Sequence, residues 1–157
     1  SSAGAGESVG LTFTEQIFIE RGEIGAHVDS APKLSNVVHA KVFWLGEKPM
    51  RPGTTYGLKL GTQHVSVTLD KITSGLDTVT LERRPLEEIE RNQVGEVVLK
   101  PVRPLAFDDF QHFQNTGRFV ILDGDAVCGG GIIDDVDYPD MRRFLSSKPR
   151  SENIFLT

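Results

Sequence analysis

The residues of this chain that could carry chemistry are few, and their spacing favours structural work. Asp134, Asp135, Asp137 and Asp140 crowd into a short stretch, and oxygen ligands at such spacing suit calcium or magnesium. The stretch lacks the glycine and the distal glutamate of a helix-loop-helix calcium site, so a solvated acidic turn is the better account. His27, His39, His64 and His112 make no pair at i, i+2 or i, i+4. With Cys128 as the single cysteine, a tetrahedral zinc site lacks ligands, and the histidines read as structural. A nucleophilic Cys128 would need a histidine, a cation or a helix N-terminus to lower its thiol pKa; its strand-like surroundings predict burial instead. Gly129, Gly130 and Gly131 suggest a phosphate loop. Such a loop must open into a helix with a lysine and a hydroxyl residue at fixed spacing, whereas here Ile132 and Ile133 continue an apolar strand. No serine, histidine and acid arrangement can be nominated. The catalytic, cofactor-binding and metal-ligating sets are therefore expected to be empty.

The glycine run finds its meaning in the element that holds it, Gly117 to Ile133. Gly117, Phe119 and Ile121 alternate with Arg118, Val120 and Leu122. Asp123, Gly124 and Asp125 then supply the chemistry of a tight reversal, and Ala126 to Ile133 is the returning strand. Three glycines would weaken an isolated strand, so Gly129, Gly130 and Gly131 predict a bulge or a close backbone approach in a curled sheet. The second strong strand is Val37 to Leu45. Val38, Ala40, Val42 and Trp44 point one way; His39, Lys41, Phe43 and Leu45 point the other. Bulk on both faces at its C-terminal end predicts cover on both sides. Phe43, Trp44 and Leu45 are the candidates for packing against a neighbouring domain, with the core as the other place for Trp44.

Further strands are expected over Thr54 to Leu60, Val65 to Asp70, Asp77 to Glu82 and Val94 to Val102. Leu86 to Ile89 could form one helical turn. Ala106, Phe110 and Phe113 share a helical face, which predicts a short helix or a compact loop capping an open end of the sheet. About six strands with no long helix give a small all-β barrel or sandwich. Ahead of it, a strand and turn are expected around Val9, Leu11 and Phe13, and residues 26–36, with Pro32 and no period, read as a linker. Residues 1–25 should pack on the barrel through Leu11, Phe13, Ile17 and Phe18, or else be mobile. After Val136 the chain reads as an extension, anchored by Phe144, Leu145, Ile154, Phe155 and Leu156.

Bulk properties narrow the function classes. The 157 residues, 38% hydrophobic and 25% charged, suit one globular domain with part of a neighbour. No apolar run approaches the ~20 residues that span a bilayer, and no secretory signal stands at the start. A single cysteine fits a reducing compartment, so a cytoplasmic location is expected. The missing initiating Met suggests a fragment or a processed chain. A net charge of −5 argues against a general nucleic-acid binder. Arg83, Arg84 and Arg91 are offset by Glu82, Glu87, Glu88 and Glu90; with Arg142 and Arg143 they make a mixed-charge surface rather than a basic patch.

Taken together, AGESVGLTF with IERGEI, then HAKVFWL, RPGTTYGLKLGT, RNQVGEVVLKPVRPLAFDDF and GRFVILDGDAVCGGGII, resemble the C-terminal half of translation-factor-like GTPases in order and spacing. More narrowly they resemble the GTP-hydrolysing large subunit of bacterial sulfate adenylyltransferase, a relative of elongation factor Tu. The resemblance implies a six-stranded antiparallel β-barrel, the family's third domain, over residues 37–136, preceded in residues 1–25 by the end of the second barrel. RSENIF, residues 150–155, resembles the segment before the adenylylsulfate kinase domain of fused forms. The phosphate loop, the magnesium-binding acid and the guanine-recognition motif of the family belong to a GTPase domain absent from this sequence. GTP and magnesium are thus implied for the parent and no cofactor for this chain. The implied role is noncatalytic: domain packing and coupling of GTP hydrolysis to sulfate activation, with the GTPase and second domains and the small catalytic subunit as partners. An RNA-contacting barrel of a translation-type GTPase is the alternative.

Overall fold

Alternating apolar and polar positions set the main strands of this chain, and six of those strands join into a ring. The computed structural model describes residues 2–14, 16–76, 83–142 and 155–156. Its strands are β1 (Ala26–His27), β2 (Lys33–Ser35), β3 (Val38–Trp44), β4 (Thr55–Leu60), β5 (Gln63–Leu76), β6 (Arg83–Arg84), β7 (Val94–Pro101), β8 (Leu105–Phe107), β9 (Arg118–Asp123), β10 (Ala126–Ile133) and β11 (Phe155–Leu156). A 3-10 turn spans Val28–Ser30. The main sheet runs β4-β9-β10-β3-β7-β5, and a further β4–β5 pairing closes it. Every neighbour in this ring is antiparallel. The expected six-stranded antiparallel barrel is the observed architecture, and closure removes the free edges that an open sheet would expose.

The period-2 pattern sets the inside. Val38, Ala40, Val42 and Trp44 are buried, as are Tyr56, Leu58 and Leu60 on β4 and Phe119 and Ile121 on β9. β5 outruns its expected end and continues through Leu76; register shifts between Leu69 and Lys71 and between Ile72 and Ser74 let so long a strand bend around the barrel. The strand expected at Asp77 to Glu82 lies outside the described residues. Ile89 forms no helical turn. It bridges Met50, each amide donating to the other's carbonyl at 2.8 and 3.0 Å, and both side chains are fully buried. Burial of Ile89 over Gly95, whose missing Cβ leaves the space that its Cδ1 fills, outweighs the weak local helix preference.

One barrel end is strapped. Within residues 26–36, expected as a linker, β2 pairs antiparallel with β8, and Leu34 and Ser35 are buried. Of the two alternatives for Leu105 to Thr116, the structure takes the loop: β8 runs into a series of turns, and Phe113 is exposed. The Gln63 side chain fixes this cap, its amide donating to the Ala106 carbonyl at 2.7 Å and its oxygen accepting the Ala106 amide at 3.1 Å. The strand expected around Val9 to Phe13 does not form, and Val9, Leu11, Phe18 and Ile19 are exposed. A strand needs an edge to pair with, and the closed ring offers none. The short β11 runs parallel to β1.

Candidate functional site

The β9–β10 hairpin and β3 build both the core and the outer surface of one side of the barrel. Asp123 pairs with Ala126 around Gly124–Asp125, and Gly124 has φ of +60°, a left-handed value that glycine adopts at little cost. The register shifts between Val127 and Gly129, so a bulge at Cys128 stands immediately before the glycine run. The three glycines then divide by face. A Cβ on Gly129 would lie 2.7 Å from the Phe43 carbonyl oxygen and 3.2 Å from the Trp44 ring; one on Gly131 would lie 2.5 Å from Phe119 Cζ and 2.7 Å from the Lys41 oxygen. These two inward glycines give room to the Trp44 and Phe119 rings. They form no phosphate cradle, because aromatic carbon fills the space beside them.

Gly130 faces outward. It pairs with Phe43 on one side and Val120 on the other, and Val120 pairs with Lys59 of β4. Directly opposed residues in antiparallel strands share a face, so Phe43, Gly130, Val120 and Lys59 make one row across four strands. The next row is Lys41, Ile132 and Arg118. Phe43 and Leu45 are 41% and 44% exposed and Val127 is 64% exposed, with Val120 also open to solvent. Leu45 is tied beside the bulge by its amide, which donates to the Cys128 carbonyl at 2.7 Å. The result is an apolar strip, shallow at Gly130 and flanked by basic side chains. Trp44 takes the core alternative rather than an interdomain contact: its ring is edge-on to Tyr56 with centroids 5.3 Å apart, and its Nε1–H donates to the Lys48 carbonyl at 2.7 Å.

A second cluster stands at the strapped end. Asp109, on the turn after β8, has a carboxylate only 6% exposed. Its Oδ1 lies 2.6 Å from His112 Nδ1 and accepts the His112 amide at 3.0 Å. Lys33 of β2 lies 3.7 Å from Asp109 Oδ2 and 3.1 Å from Asp135 Oδ1. Burial pushes the Asp109 pKa up, but hydrogen bonds and charge from His112, helped by Lys33, hold it below its ordinary value. The Asp109 hydrogen bond, then its charge, raise that of His112. Burial raises the phenol of Tyr138, whose hydroxyl donates to the Asp134 carbonyl at 2.8 Å. Ligand atoms of Asp109, His112 and Asp135 come within 4.8 Å of one another, yet the Lys33 ammonium already stands beside both carboxylates. The acidic run itself disperses: Asp134 pairs with Lys41 at 2.8 Å, Asp135 with Lys33 and Asp140 with Arg142 at 2.8 Å. Sequence reasoning missed Asp109. Its signal was the i, i+3 spacing to His112, which a search for histidine pairs passes over.

Several known proteins are similar to this chain in sequence. The chain is 32% identical to the bifunctional enzyme NodQ of Rhizobium tropici, over 85% of this chain and 21% of that protein. It is 32% identical to the bifunctional enzyme CysN/CysC of Xylella fastidiosa, over 83% and 21%, and 33% identical to sulfate adenylyltransferase subunit 1 of Chromobacterium violaceum, over 78% and 26%. The chain thus spans about a fifth to a quarter of the length of these relatives. Among solved structures, Sup35 in complex with GDP superposes with a TM-score of 0.64 at 17% identity, over 70% of this chain and 28% of that one, a likeness of fold. The family described as GTP-eEF1A C-terminal domain-like matches residues 37–134. That span contains all six strands of the closed ring, and the chain belongs to this family.

Proposed function

We propose that this chain is the third, barrel domain of a GTP-dependent sulfate adenylyltransferase large subunit, noncatalytic itself, that packs against neighbouring domains and couples GTP hydrolysis to sulfate activation. The observation that carries the reading is the match to sulfate-adenylyltransferase relatives across the barrel. The exposed strip of Phe43, Leu45, Val120 and Val127 adds a surface with the character of an interdomain contact. Val9, Leu11, Phe18 and Ile19, apolar and open to solvent, suit the end of a preceding barrel. In this reading GTP and magnesium bind another domain of the parent, the small catalytic subunit forms adenylylsulfate from ATP and sulfate, and the assembly is cytoplasmic. The likeness to the bifunctional enzyme CysN/CysC supports a parent with a further domain in the same chain, in this reading the fused kinase.

The test is reconstitution. The 157-residue chain alone should neither hydrolyse GTP nor form adenylylsulfate, whereas the full-length product of its gene, mixed with a small subunit from the same source, should do both in a coupled assay. A full-length product that lacks both activities and binds transfer RNA with strong salt dependence would overturn the assignment in favour of a translation-type barrel.

A further inference from the structure

The charges at the strapped end do not divide evenly, and that imbalance makes them responsive to pH. Three segments meet there: the incoming β2 with Lys33, the turn after β8 with Asp109 and His112, and the outgoing chain after β10 with Asp135. Lys33 Nζ is nearer to Asp135, at 3.1 Å, than to Asp109, at 3.7 Å, and lies 5.3 Å from the Tyr138 ring centroid. With His112 protonated, the cluster holds two carboxylates and two cations. With His112 neutral, one lysine remains for both. Asp109 is the buried member, and a buried carboxylate left without a cation is costly. Of the charged groups close by, Asp108 accepts from Thr116 Oγ1 at 2.6 Å, Asp134 is paired with Lys41 and Asp140 with Arg142, while Asp137 lines the same pocket as Lys33 and Asp135.

We propose that the proton on His112 decides which carboxylate Lys33 serves. When His112 is charged it satisfies Asp109, Lys33 stays with Asp135, and the outgoing chain is fastened to the incoming one. When the proton leaves, Lys33 moves toward Asp109 and Asp135 lets go. The clasp therefore joins the two connections through which this barrel is attached to whatever precedes and follows it.

The pH window follows from the two shifts. His112 is raised above its unfolded value of about 6.5, so its stabilisation is complete below about pH 6.5 and is lost as pH rises through the raised value. Asp109 is lowered from about 3.9, so its contribution is present above about pH 4 and is lost as pH falls through the lowered value. The Asp109 and His112 contributions are both complete from about pH 4 to about pH 6.5, and the Lys33–Asp135 clasp loosens as pH rises above that range.

Hydrogen exchange by NMR on the 157-residue chain tests this. The Met141 amide donates to the Leu34 carbonyl at 2.9 Å and reports the outgoing segment held against β2. Its protection factor, corrected for intrinsic exchange, should fall several-fold between pH 6 and pH 8.5, while that of Ile133, which donates to the Gly117 carbonyl within the barrel end, stays level. His112→Gln should give the low Met141 value at both pH values. Asp135→Asn should remove the pH dependence with His112 left in place. A pH-independent Met141 protection factor in the unmodified chain, or a His112→Gln variant that keeps the pH profile, would overturn the proposal.

Discussion

Gly131 shows how much of this barrel depends on what a residue lacks. Its absent Cβ would meet the Phe119 ring on one side and the Lys41 carbonyl oxygen on the other, and the backbone oxygen cannot turn aside as a flexible side chain could. Gly131→Ala should therefore destabilise the chain by about 1–3 kcal/mol, the usual cost of overpacking, read as a lower urea midpoint at unchanged slope. An unchanged midpoint would mean that β10 relaxes away from β3 freely. The sequence carried the first half of this account, since three glycines in an apolar strand announce a bulge or a close approach. It did not carry the second half. Which ring fills which gap depends on the register that places Gly129 opposite Trp44 and Gly131 opposite Phe119, and register is a property of pairs of strands. Asp109 was legible only in its i, i+3 spacing to His112; its other partner, Lys33, is far away in the chain and lies in a stretch that reads as a linker.

Strands proved legible where one face is buried and short segments where it is not proved obscure. β3, β4, β9 and β10 lie close to their expected bounds because alternation leaves little freedom in which face turns inward. β2 and β8, three residues each, have no period to detect. They exist because the open end of the barrel must be covered and because Gln63 supplies a hydrogen-bond fork that neither strand provides for itself. Gln63 is 8% exposed and satisfies both backbone groups of Ala106. Gln63→Ala leaves a buried N–H and a buried C=O without partners, each worth about 1–3 kcal/mol. The loss should be local before it is global. Amides of β8 should exchange faster in Gln63→Ala while those of β3 and β10 keep most of their protection. Uniform loss of protection through the barrel would show instead that the cap and the ring unfold as one unit.

A closed six-stranded ring solves the problem of its own edges, so anything this barrel does for a larger assembly must pass through its outer faces and its two chain connections. The strip of Phe43, Leu45, Val120 and Val127 is a contiguous apolar part of those faces. Its residues are held by strands whose inner side chains are fully engaged, so the strip is a stiff surface, fit to transmit a rigid-body displacement of a neighbour rather than absorb it. The separation of faces makes a clean experiment. Phe43 and Val120 already contact solvent in this chain, so Phe43→Ser with Val120→Ser should alter its unfolding free energy by no more than about 0.5 kcal/mol per site, the usual range for surface positions. Under the proposed function, the same pair in the full-length protein should weaken packing of the barrel on its neighbour, detected as faster proteolysis between domains and as GTP hydrolysis no longer matched by adenylylsulfate formation. Unchanged coupling in a stably folded double variant would move the contact to another face. A large loss of stability in the isolated chain would instead show that the strip belongs to the fold and that domain packing runs through the strapped end.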